Sequence, residues 1–399
     1  MNGPAVILKN GSFGALKQSA VLYEWRQGDA YLFLDEVAVR GIRGAILCYN
    51  NPPVHQIGNP ALDAYLQAVD ALSGKQVKFL IMYFANDPVH AGGDLKESLK
   101  KLDSTIDAKK ELILKGASAS EIDKLYGWGD ERLQKAFALY KKLRALGKSV
   151  RLISVAGGGT RFGGSAEMAL AGDIIVGDSR SAMCFSESMI GLIPGWGGIG
   201  RAVSKAGMLN AKYLAMTAKE CKAQELLKIG IYNAVVDVPF ALPRMQKTDN
   251  PQADKEKYIA DLQKNNDETG MLLLAKAFEL ALCPENEIPR MKDADRPALM
   301  PEDKLHEEVN RRKNPLNYEG VCGKLLQEVK AELAQSGRPL APQSIDALEK
   351  LFASCDMGRF NEEEFIRLEM ELDALLYRDE RFRAGIIAAL EQKVADFRS

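Results

Sequence analysis

The chain has 399 residues, 46% of them hydrophobic, and its 53 Lys and Arg residues nearly balance its 54 Asp and Glu residues. A chain of this length can bury a large core, either as one big domain or as two ordinary ones. Because these charges balance, the chain has no overall basic surplus, which is typical of proteins that bind nucleic acid or anionic membranes. The net charge therefore argues against both of these classes.

Cysteines, histidines and apolar runs set further limits. The six cysteines are scattered without a CxxC pair, which is typical of reduced thiols. The three histidines show no metal-ligand spacing. The N-terminus lacks the basic and apolar regions of a signal peptide, and no stretch approaches membrane-spanning length. We therefore expect a cytoplasmic protein without a metal site.

In chain order, the first 28 residues are predicted to be an irregular lead-in. Apolar runs of strand length then predict strands at residues 31–39, 44–49, 77–84, 150–156, 173–178 and 231–238. Helical spacing predicts helices at 62–72, in three pieces between 112 and 146, at 194–216 and at 218–229. Asp94, followed three residues later by Glu97, predicts a further helix start.

The last third of the chain is richer in charge. A polar helix or loop is predicted at 247–269, an apolar helix at 271–282 and an extended excursion at 284–314. Helices are predicted at 325–333 and 343–355, with one or two long helices at 362–397. Strands first and helices last indicate an α/β or α+β fold rather than two separate domains.

Two places combine a strand end, glycines and a following helix: residues 91–94 and 163–167. If the two strands are neighbours, the backbone amides of Gly93 and Gly164 converge on one oxygen, as in an oxyanion hole. Glycine suits such a site because backbone can approach a ligand without a Cβ in the way. Glu167 and Glu187 nearby can hold a water, one taking its proton and the other returning one. Two carboxyls on one water favour one of them remaining protonated.

Taken singly, each feature has a simpler interpretation. A Gly-rich turn before a helix is usually only a turn. Glu167 in an apolar helix is open to a structural ion pair with Arg161 or Arg201. Glu187 is equally compatible with a helix cap or with solvent. Their order and spacing together are harder to explain in this way.

That order resembles the signature of the enoyl-CoA hydratase/isomerase (crotonase) family. The family pattern is G-x-A-x-G-G-G-x-E-L-A-x-x-C-D, followed by P-E-x-x-x-G-x-x-P-G-x-G-G. Residues 159–173 and 186–198 match it, and residues 91–97 match the upstream A-G-A-D-[LI]-K-E. Residues 51–55 resemble N-P-P-V-N, and 379–393 echo a C-terminal D-x-x-E-G-x-x-A-F-L-E-K-R. The resemblance covers about 30–240 and 365–399.

The resemblance implies an acyl-CoA thioester whose carbonyl lies between the amides of Gly93 and Gly164, with a thioester enolate as intermediate. Glu167 and Glu187 fall on the two acid/base positions of the hydratases. The other positions carried over are substrate-binding ones: Ala91 and Leu95 at the adenine, Lys96 at the CoA phosphates, Gly195 at the water, and Lys393 reaching CoA from the C-terminal helix. Coenzyme A is then part of the substrate, and no separate cofactor is implied.

The implied fold is α/β, a crotonase-like spiral of ββα units with a C-terminal helical trimerisation region and a long helical insertion. We predict a core over 1–240 with an enlarged acyl-pocket segment at 97–148, an insertion or cap over 241–345, and an oligomerisation region over 346–399. The implied assembly is a homotrimer or homohexamer, with no nucleic-acid or membrane partner.

The departures from the family pattern bear on the substrate. Ser165 replaces the third glycine, and Arg161 stands where a small residue is usual. Arg161 is a candidate for binding a carboxylate or keto group, although a structural partner to an Asp or Glu is favoured. Trp196 is bulky beside the expected pocket and either stacks on a ring or simply packs. The long segment between Gly93 and Gly164 favours a cyclic, aromatic or functionalised acyl group.

Four functions follow from these residues. The first is an enoyl-CoA hydratase, a lyase that adds water in a syn sense to a 2-enoyl-CoA, or the reverse. The second is a hydrolase that attacks the thioester or a ring C–C bond. An isomerase is weaker because both glutamates are present. A non-catalytic acyl-CoA-binding scaffold is the least favoured, because both acids are intact.

Overall fold

A computed structural model of the chain describes residues 16–84, 87–239, 241–245, 249–313 and 319–398. The strands are β1 (Leu16–Gln27), β2 (Ala30–Val39), β3 (Ile42–Asn50), β4 (Phe79–Phe84), β5 (Val89–His90), β6 (Arg151–Val155), β7 (Thr160–Phe162), β8 (Ile174–Asp178), β9 (Ala182–Cys184), β10 (Cys221–Lys222) and β11 (Ala234–Val236). The α-helices are α1 (Asn59–Asp70), α2 (Leu95–Leu114), α3 (Ala119–Asp123), α4 (Gly127–Leu146), α5 (Gly164–Ala169), α6 (Gly198–Ala206), α7 (Met208–Thr217), α8 (Ala223–Lys228), α9 (Pro251–Leu282), α10 (Glu302–Lys313), α11 (Lys330–Ser336), α12 (Pro342–Ala353), α13 (Glu362–Leu376) and α14 (Glu380–Leu390).

These strands form two sheets. The larger has seven strands in the order β1-β2-β3-β4-β6-β8-β11, and the smaller has four in the order β10-β9-β7-β5. In the larger sheet β1, β2 and β3 are antiparallel neighbours, and every later pair is parallel. In the smaller sheet β5, β7 and β9 are parallel. The result is a mixed α/β fold with a mainly parallel central sheet.

The chain repeats one unit as it passes between the sheets. From β4 it enters β5 and then α2; from β6 it enters β7 and then α5; from β8 it enters β9 and, after a loop, α6. Each unit therefore places a strand in both sheets and then starts a helix. The predicted succession of ββα units is confirmed. The turns that lead into the helices lie at the carboxyl ends of the parallel strands of the smaller sheet.

Local sequence explains why these elements form where they do. All six residues of β4 are apolar and buried, as expected for a central parallel strand covered on both faces. Helix α2 begins after Asp94, whose carboxylate accepts hydrogen bonds from the amides of Lys96 and Glu97. The predicted N-cap is therefore confirmed.

The larger sheet separates two apolar layers. One layer contains α9, whose Leu273, Leu274 and Phe278 pack on alternate residues of β3, β4, β6 and β8. Arg151 fixes the end of this helix by donating to the carbonyls of Leu280, Ala281 and Cys283. The other layer is larger and includes residues of α12 and α13. Helix α9 therefore backs the sheet on the side opposite those helices.

Several predicted boundaries are wrong. Residues 16–27 of the expected irregular lead-in form β1, and residues 1–15 lie outside the described residues. The helix predicted at 194–216 is two helices, because Gly207 has a φ of 80° and interrupts it. Residues 251–282 form one helix instead of two segments, and the expected excursion at 284–314 contains α10.

The described residues contain no helix with both the length and the apolar character that crossing a bilayer requires.

Candidate active site

A cavity of about 520 Å³ lies where the turns into α2 and α5 meet the C-terminal helices. Its walls come from the β5–α2 turn, the β7–α5 turn, the loop 186–196, helix α4 and helices α13 and α14. Of the residues predicted to form the site, the cavity is lined by Ala91, Gly93, Leu95, Gly164, Glu167, Glu187, Gly195 and Trp196.

Two turns that carry candidate backbone donors, those of Gly93 and Gly164, meet at one wall of the cavity. Strands β5 and β7 pair in parallel with His90 opposite Arg161, and Gly93 and Gly164 each follow three residues later. The turns touch, because a Cβ added to Gly92 would lie 2.7 Å from the amide nitrogen of Gly164. Within the described part of the chain, neither the Gly93 amide nor the Gly164 amide donates a hydrogen bond. Both N–H groups are thus available to a bound oxygen.

Glu167 lies in the first turn of α5, and 2% of its surface is exposed. Its Oε2 accepts hydrogen bonds from the amides of Trp196 and Gly198, both at 2.8 Å. Burial raises the pKa of Glu167 to about 7, while the amides of Gly198 and Trp196 hold it from rising further. At neutral pH this carboxyl therefore exchanges between its acid and base forms.

Arg201 does not form the ion pair with Glu167 that was left open above. Its Nη1 donates instead to the main-chain oxygens of Glu167, at 3.0 Å, and of Trp196, at 3.3 Å. The guanidinium also lies over the ring of Tyr140, 5.1 Å from its centroid. Arg201 thereby fixes the backbone around Glu167 and leaves the carboxyl to the cavity.

Glu187 stands at the start of a 3-10 turn on the opposite side of Gly163. Gly163 has a φ of 50°, and a Cβ there would lie 2.8 Å from Oε1 of Glu187, so only glycine fits. Oε2 of Glu187 is buried without a hydrogen-bond partner among the described residues. Burial, and then the charge of Glu167, raise the pKa of Glu187 well above its usual value. This rise favours the protonated form of Glu187.

Trp196 packs against the turns that carry the two glycines. Its ring lies 2.7 Å from where a Cβ of Gly164 would stand, and 3.9 Å from the same position at Gly93. Because Gly164 lacks a Cβ, the indole fits closely over its backbone. Trp196 is buried and faces the cavity, so it shapes the pocket beside the two amides.

Three residues expected to bind substrate do not line the cavity. Arg161 is fully buried, lies over the ring of Phe84 at 5.2 Å and donates to the carbonyl of Gly157. This corrects the expectation that Arg161 contacts the acyl group, since its side chain points into the interior behind β7. Lys96 is exposed on a separate shallow groove of about 410 Å³ beside Leu390. Lys393 is paired with Glu391, although its neighbour Gln392 lines the cavity.

Helix α13 brings two acids to the site that sequence reasoning missed. Glu369 is fully buried and accepts hydrogen bonds from the amides of Gly197 and Gly200, both at 3.0 Å. Asp373 lines the cavity and accepts from the amide of Ile193 at 3.0 Å. Burial raises the pKa of both carboxyls well above the usual values. The available signal was their spacing of four residues on the apolar face of a helix.

Helix α4 contributes a buried cation that was also missed. Arg132 lines the cavity with 2% of its surface exposed. Its Nη2 donates to Glu97 at 2.6 Å and its Nη1 to Ser98 at 2.7 Å. Tyr377, from the end of α13, lies beside this guanidinium, which opposes the rise that burial gives to the pKa of its hydroxyl. In sequence, Arg132 looked like one of many charges on an amphipathic helix.

Residues 124–242 match the family model described as enoyl-CoA hydratase/isomerase. The resemblance of this segment to that family is confirmed. The segment includes Gly164, Glu167 and Glu187 but begins after the turn that carries Gly93. For Gly93, the evidence is therefore the pairing of β5 with β7 and the contact between the two turns.

Solved structures show the same fold. An enoyl-CoA hydratase from Rhodobacter sphaeroides 2.4.1 superposes with a TM-score of 0.52 at 16% identity, covering 87% of this chain and 86% of that one. A carnitinyl-CoA dehydratase from Mycobacterium thermoresistibile gives a TM-score of 0.50 at 14% identity, covering 88% and 87%. At these identities the likeness shows the fold alone.

Proposed function

We propose that the protein adds water to the double bond of a 2-enoyl-CoA, or removes it in the reverse direction. The observation that supports this most strongly is the pair of buried carboxyls, Glu167 and Glu187, on either side of the turn that carries the free Gly164 amide. Their pKa values are both raised, and the charge of Glu167 contributes to the rise at Glu187. A base and an acid thus face one cavity.

In this mechanism Glu167 is the base and Glu187 the acid. The Glu167 carboxylate takes a proton from a water as its oxygen attacks C3 of the enoyl group. The electrons move onto the thioester oxygen, where the amides of Gly93 and Gly164 form an oxyanion hole for the enolate. Glu187 then gives its proton to C2. In this mechanism both carboxyls act from one side of the substrate, so that both new bonds form on the same face of the double bond.

The assignment of the two roles follows from their surroundings. Two amide donors point at Glu167 and stabilise its ionised form, whereas Oε2 of Glu187 has no hydrogen-bond donor among the described residues. The hydrogen bonds to Glu167 favour its ionised form, which acts as the base. Their absence at Oε2 of Glu187 favours its protonated form, which acts as the acid. Charge on the enolate is met by backbone amides, so this chemistry needs no metal or separate cofactor.

The coenzyme A part of the substrate is proposed to enter between the β5–α2 turn and helix α14. Ala91 and Leu95 line that side of the cavity, as do Leu326, Ala389 and Gln392. Lys96 is exposed near this mouth, where a lysine suits the CoA phosphates. Lys393, next to Gln392, remains a weaker candidate for the same role.

The test is the turnover of a panel of 2-enoyl-CoAs by Glu167→Gln and Glu187→Gln. Each variant keeps the shape of the side chain but removes its acid/base chemistry, so we expect losses of several orders of magnitude. Affinity for a saturated acyl-CoA should stay within about threefold, because neither carboxyl contacts the CoA arm in this mechanism. Near-wild-type turnover in both variants would sink the two-carboxylate mechanism.

A further inference from the structure

One end of the cavity is polar, and the proposed water addition uses none of its groups. Arg132 reaches it from α4, and Asp373 and Tyr377 reach it from α13. The side chains of Arg132 and Asp373 are each 2% exposed, and that of Tyr377 is 4% exposed. Burial of three polar groups at the wall of a substrate cavity is costly unless a ligand or a fixed network satisfies them.

Arg132 retains unused hydrogen-bond donors. A guanidinium has five N–H groups, and here Nη1 donates to Ser98 and Nη2 to Glu97, while the Tyr377 hydroxyl takes a further hydrogen bond from the same guanidinium. Its Nε is buried and has no partner among the described residues. Nη1 lies 3.6 Å from the position that a Cβ of Gly93 would occupy. The guanidinium therefore stands beside the proposed thioester site with donors to spare.

Asp373 and Tyr377 also border this end of the cavity. Oδ1 of Asp373 accepts from the amide of Ile193, and Oδ2 lies against Gly195. Burial, more than any neighbouring charge, raises the pKa of Asp373 well above the usual value, which favours the neutral form of the carboxyl. Tyr377 adds a hydroxyl beside Arg132. A ligand at this end therefore meets a cation and a hydroxyl.

We propose that Arg132 determines specificity by binding a neutral carbonyl oxygen on the acyl group, so that the preferred substrate is an oxo-acyl-CoA. This rests on the proposed function, because it assumes that the cavity holds the acyl part of a CoA thioester. A plain hydrocarbon chain leaves the spare donors of Arg132 unpaired.

Charge decides between a ketone and a carboxylate. Arg132 is already neutralised by Glu97 at 2.6 Å. The carboxyls of Glu167, Glu187 and Asp373 line the same cavity, and so does one further cation, Arg338. A carboxylate bound at Arg132 would add a negative charge beside an ion pair that is already balanced. A ketone accepts the same hydrogen bonds without that charge.

The test is calorimetric binding of saturated acyl-CoAs with equal carbon count. The probes are hexanoyl-CoA, adipoyl-CoA and a series of oxohexanoyl-CoAs that differ only in the position of the ketone. Wild-type protein should bind one of the oxo isomers about 10- to 100-fold more tightly than hexanoyl-CoA. Equal affinities for all probes, or tightest binding of adipoyl-CoA, would overturn the proposal.

Variants locate the effect at Arg132. Arg132→Met should reduce the oxo preference to about twofold or less while affinity for hexanoyl-CoA changes little. The double variant Arg132→Met/Glu97→Gln leaves no buried charge unpaired and should behave in the same way if the single variant folds poorly. Lys141→Met, on the exposed face of the same helix, should keep the preference. A preference that survives in the double variant, or an equal loss of affinity for every probe, contradicts the role of Arg132.

This test is independent of turnover. The probes have no double bond, so their binding does not require the proposed hydration. If wild-type protein shows the oxo preference but hydrates no 2-enoyl-CoA, the specificity proposal stands and the hydratase proposal fails. If it hydrates plain enoyl-CoAs and shows no oxo preference, the reverse holds.

Discussion

The two catalytic candidates, Glu167 and Glu187, differ in the hydrogen bonds that their carboxyls accept. Glu167 accepts two backbone amides and has a pKa of about 7, whereas the pKa of Glu187 is raised further by burial and by the charge of Glu167. Because the two groups interact, the titration steps belong to the pair and not to either residue alone. The pair should still give activity two distinct pH limits.

The first prediction is a bell-shaped dependence of kcat/KM on pH. The base must be ionised, so activity should rise as pH increases through about 7, the pKa of Glu167. The acid must be protonated, so activity should fall again at higher pH, above the usual range of a carboxyl. The residual activity of Glu167→Gln should lose the acidic limb. An acidic limb near 4.5, the ordinary value for a glutamate, would show that Glu167 is not the titrating base.

The second prediction compares two glycines. A Cβ at Gly92 would lie 2.7 Å from the Gly164 amide nitrogen, so Gly92→Ala must push the two turns apart. Since a misplaced oxyanion donor costs about 100- to 1,000-fold in kcat, we expect a loss of that size. Gly127→Ala is the control: Gly127 is exposed at the start of α4, nothing lies within 4 Å of its Cβ position, and kcat should not change.

The same comparison also has a clear contrary result. Equal kcat values for Gly92→Ala and Gly127→Ala, with both proteins folded by circular dichroism, would mean that the contact between the turns does not position a catalytic donor. Steady-state kinetics on a single enoyl-CoA is sufficient.

At the scale of elements, helix α13 connects the C-terminal region to the site. Its buried face carries Phe365, Ile366, Glu369, Asp373 and Leu376. Glu369 holds the amides of Gly197 and Gly200, while Glu167 holds those of Trp196 and Gly198 from the other side. The segment 196–200 is thus held between Glu167 of α5 and Glu369 of α13. The region 346–399 completes its own chain's site; its role in oligomerisation stays a prediction.

The third prediction concerns Glu369→Ala. The change removes the acceptor of the amides of Gly197, Ile199 and Gly200, which should lower the free energy of unfolding by about 2–4 kcal/mol. It should also lower kcat by about tenfold or more, because the loop that fixes Glu167 is released. Glu371→Ala, at an exposed position of the same helix, is the control and should change neither quantity. Denaturant unfolding and kinetics measure both effects; full activity in Glu369→Ala would disprove that Glu369 holds this loop.

Helix α9 lies away from the cavity, whereas a cap was one expectation for residues 241–345. It packs on the face of the large sheet away from α12 and α13, and none of its residues lines the cavity. Among the described residues of the segment 241–345, only Leu326 and Arg338 line the cavity.

The fourth prediction separates these roles. Phe278 is buried and meets Phe79 edge to face, with ring centroids 6.2 Å apart. Phe278→Ala should reduce the free energy of unfolding by about 3–5 kcal/mol, as expected for an aromatic core residue, while kcat stays unchanged. Lys255→Ala, exposed on the same helix, should leave stability unaltered. A specific loss of kcat in Phe278→Ala without a loss of stability would indicate that α9 acts on the site.

For the whole molecule, sequence alone indicated the central strands and the helix starts at Asp94 and Gly164. Continuous apolar runs and the N-cap are local signals, because they depend only on residues that are close together in the sequence, and the structure has the strands and the helix start that they predict. The pairing of Gly93 with Gly164 was a conditional inference that needed β5 to lie beside β7. The resemblance to a known family supplied that condition before the fold did.

The remainder depended on tertiary contacts. The amphipathic pattern of α13 shows that Glu369 and Asp373 share a face but not that this face packs on the loop at 193–200. Arg132 is likewise one of many charges in a polar segment until α4 is placed against the cavity. Arg161 is the reverse case, a residue named as a candidate that does not line the cavity. Its position in the motif suggested contact with the substrate, but in the fold its side chain is buried in the interior. Specificity is therefore the least predictable part of the site, because distant segments build it.

The most direct test of the account is mass spectrometry of the products formed from a panel of 2-enoyl-CoAs, including cyclic and aromatic thioesters, in ordinary and ¹⁸O-enriched water. The account predicts a product heavier than the substrate by one water, with coenzyme A still attached and the label on the acyl group. Release of free coenzyme A would contradict it and indicate thioester hydrolysis instead, with the same carboxyls directing water at the carbonyl.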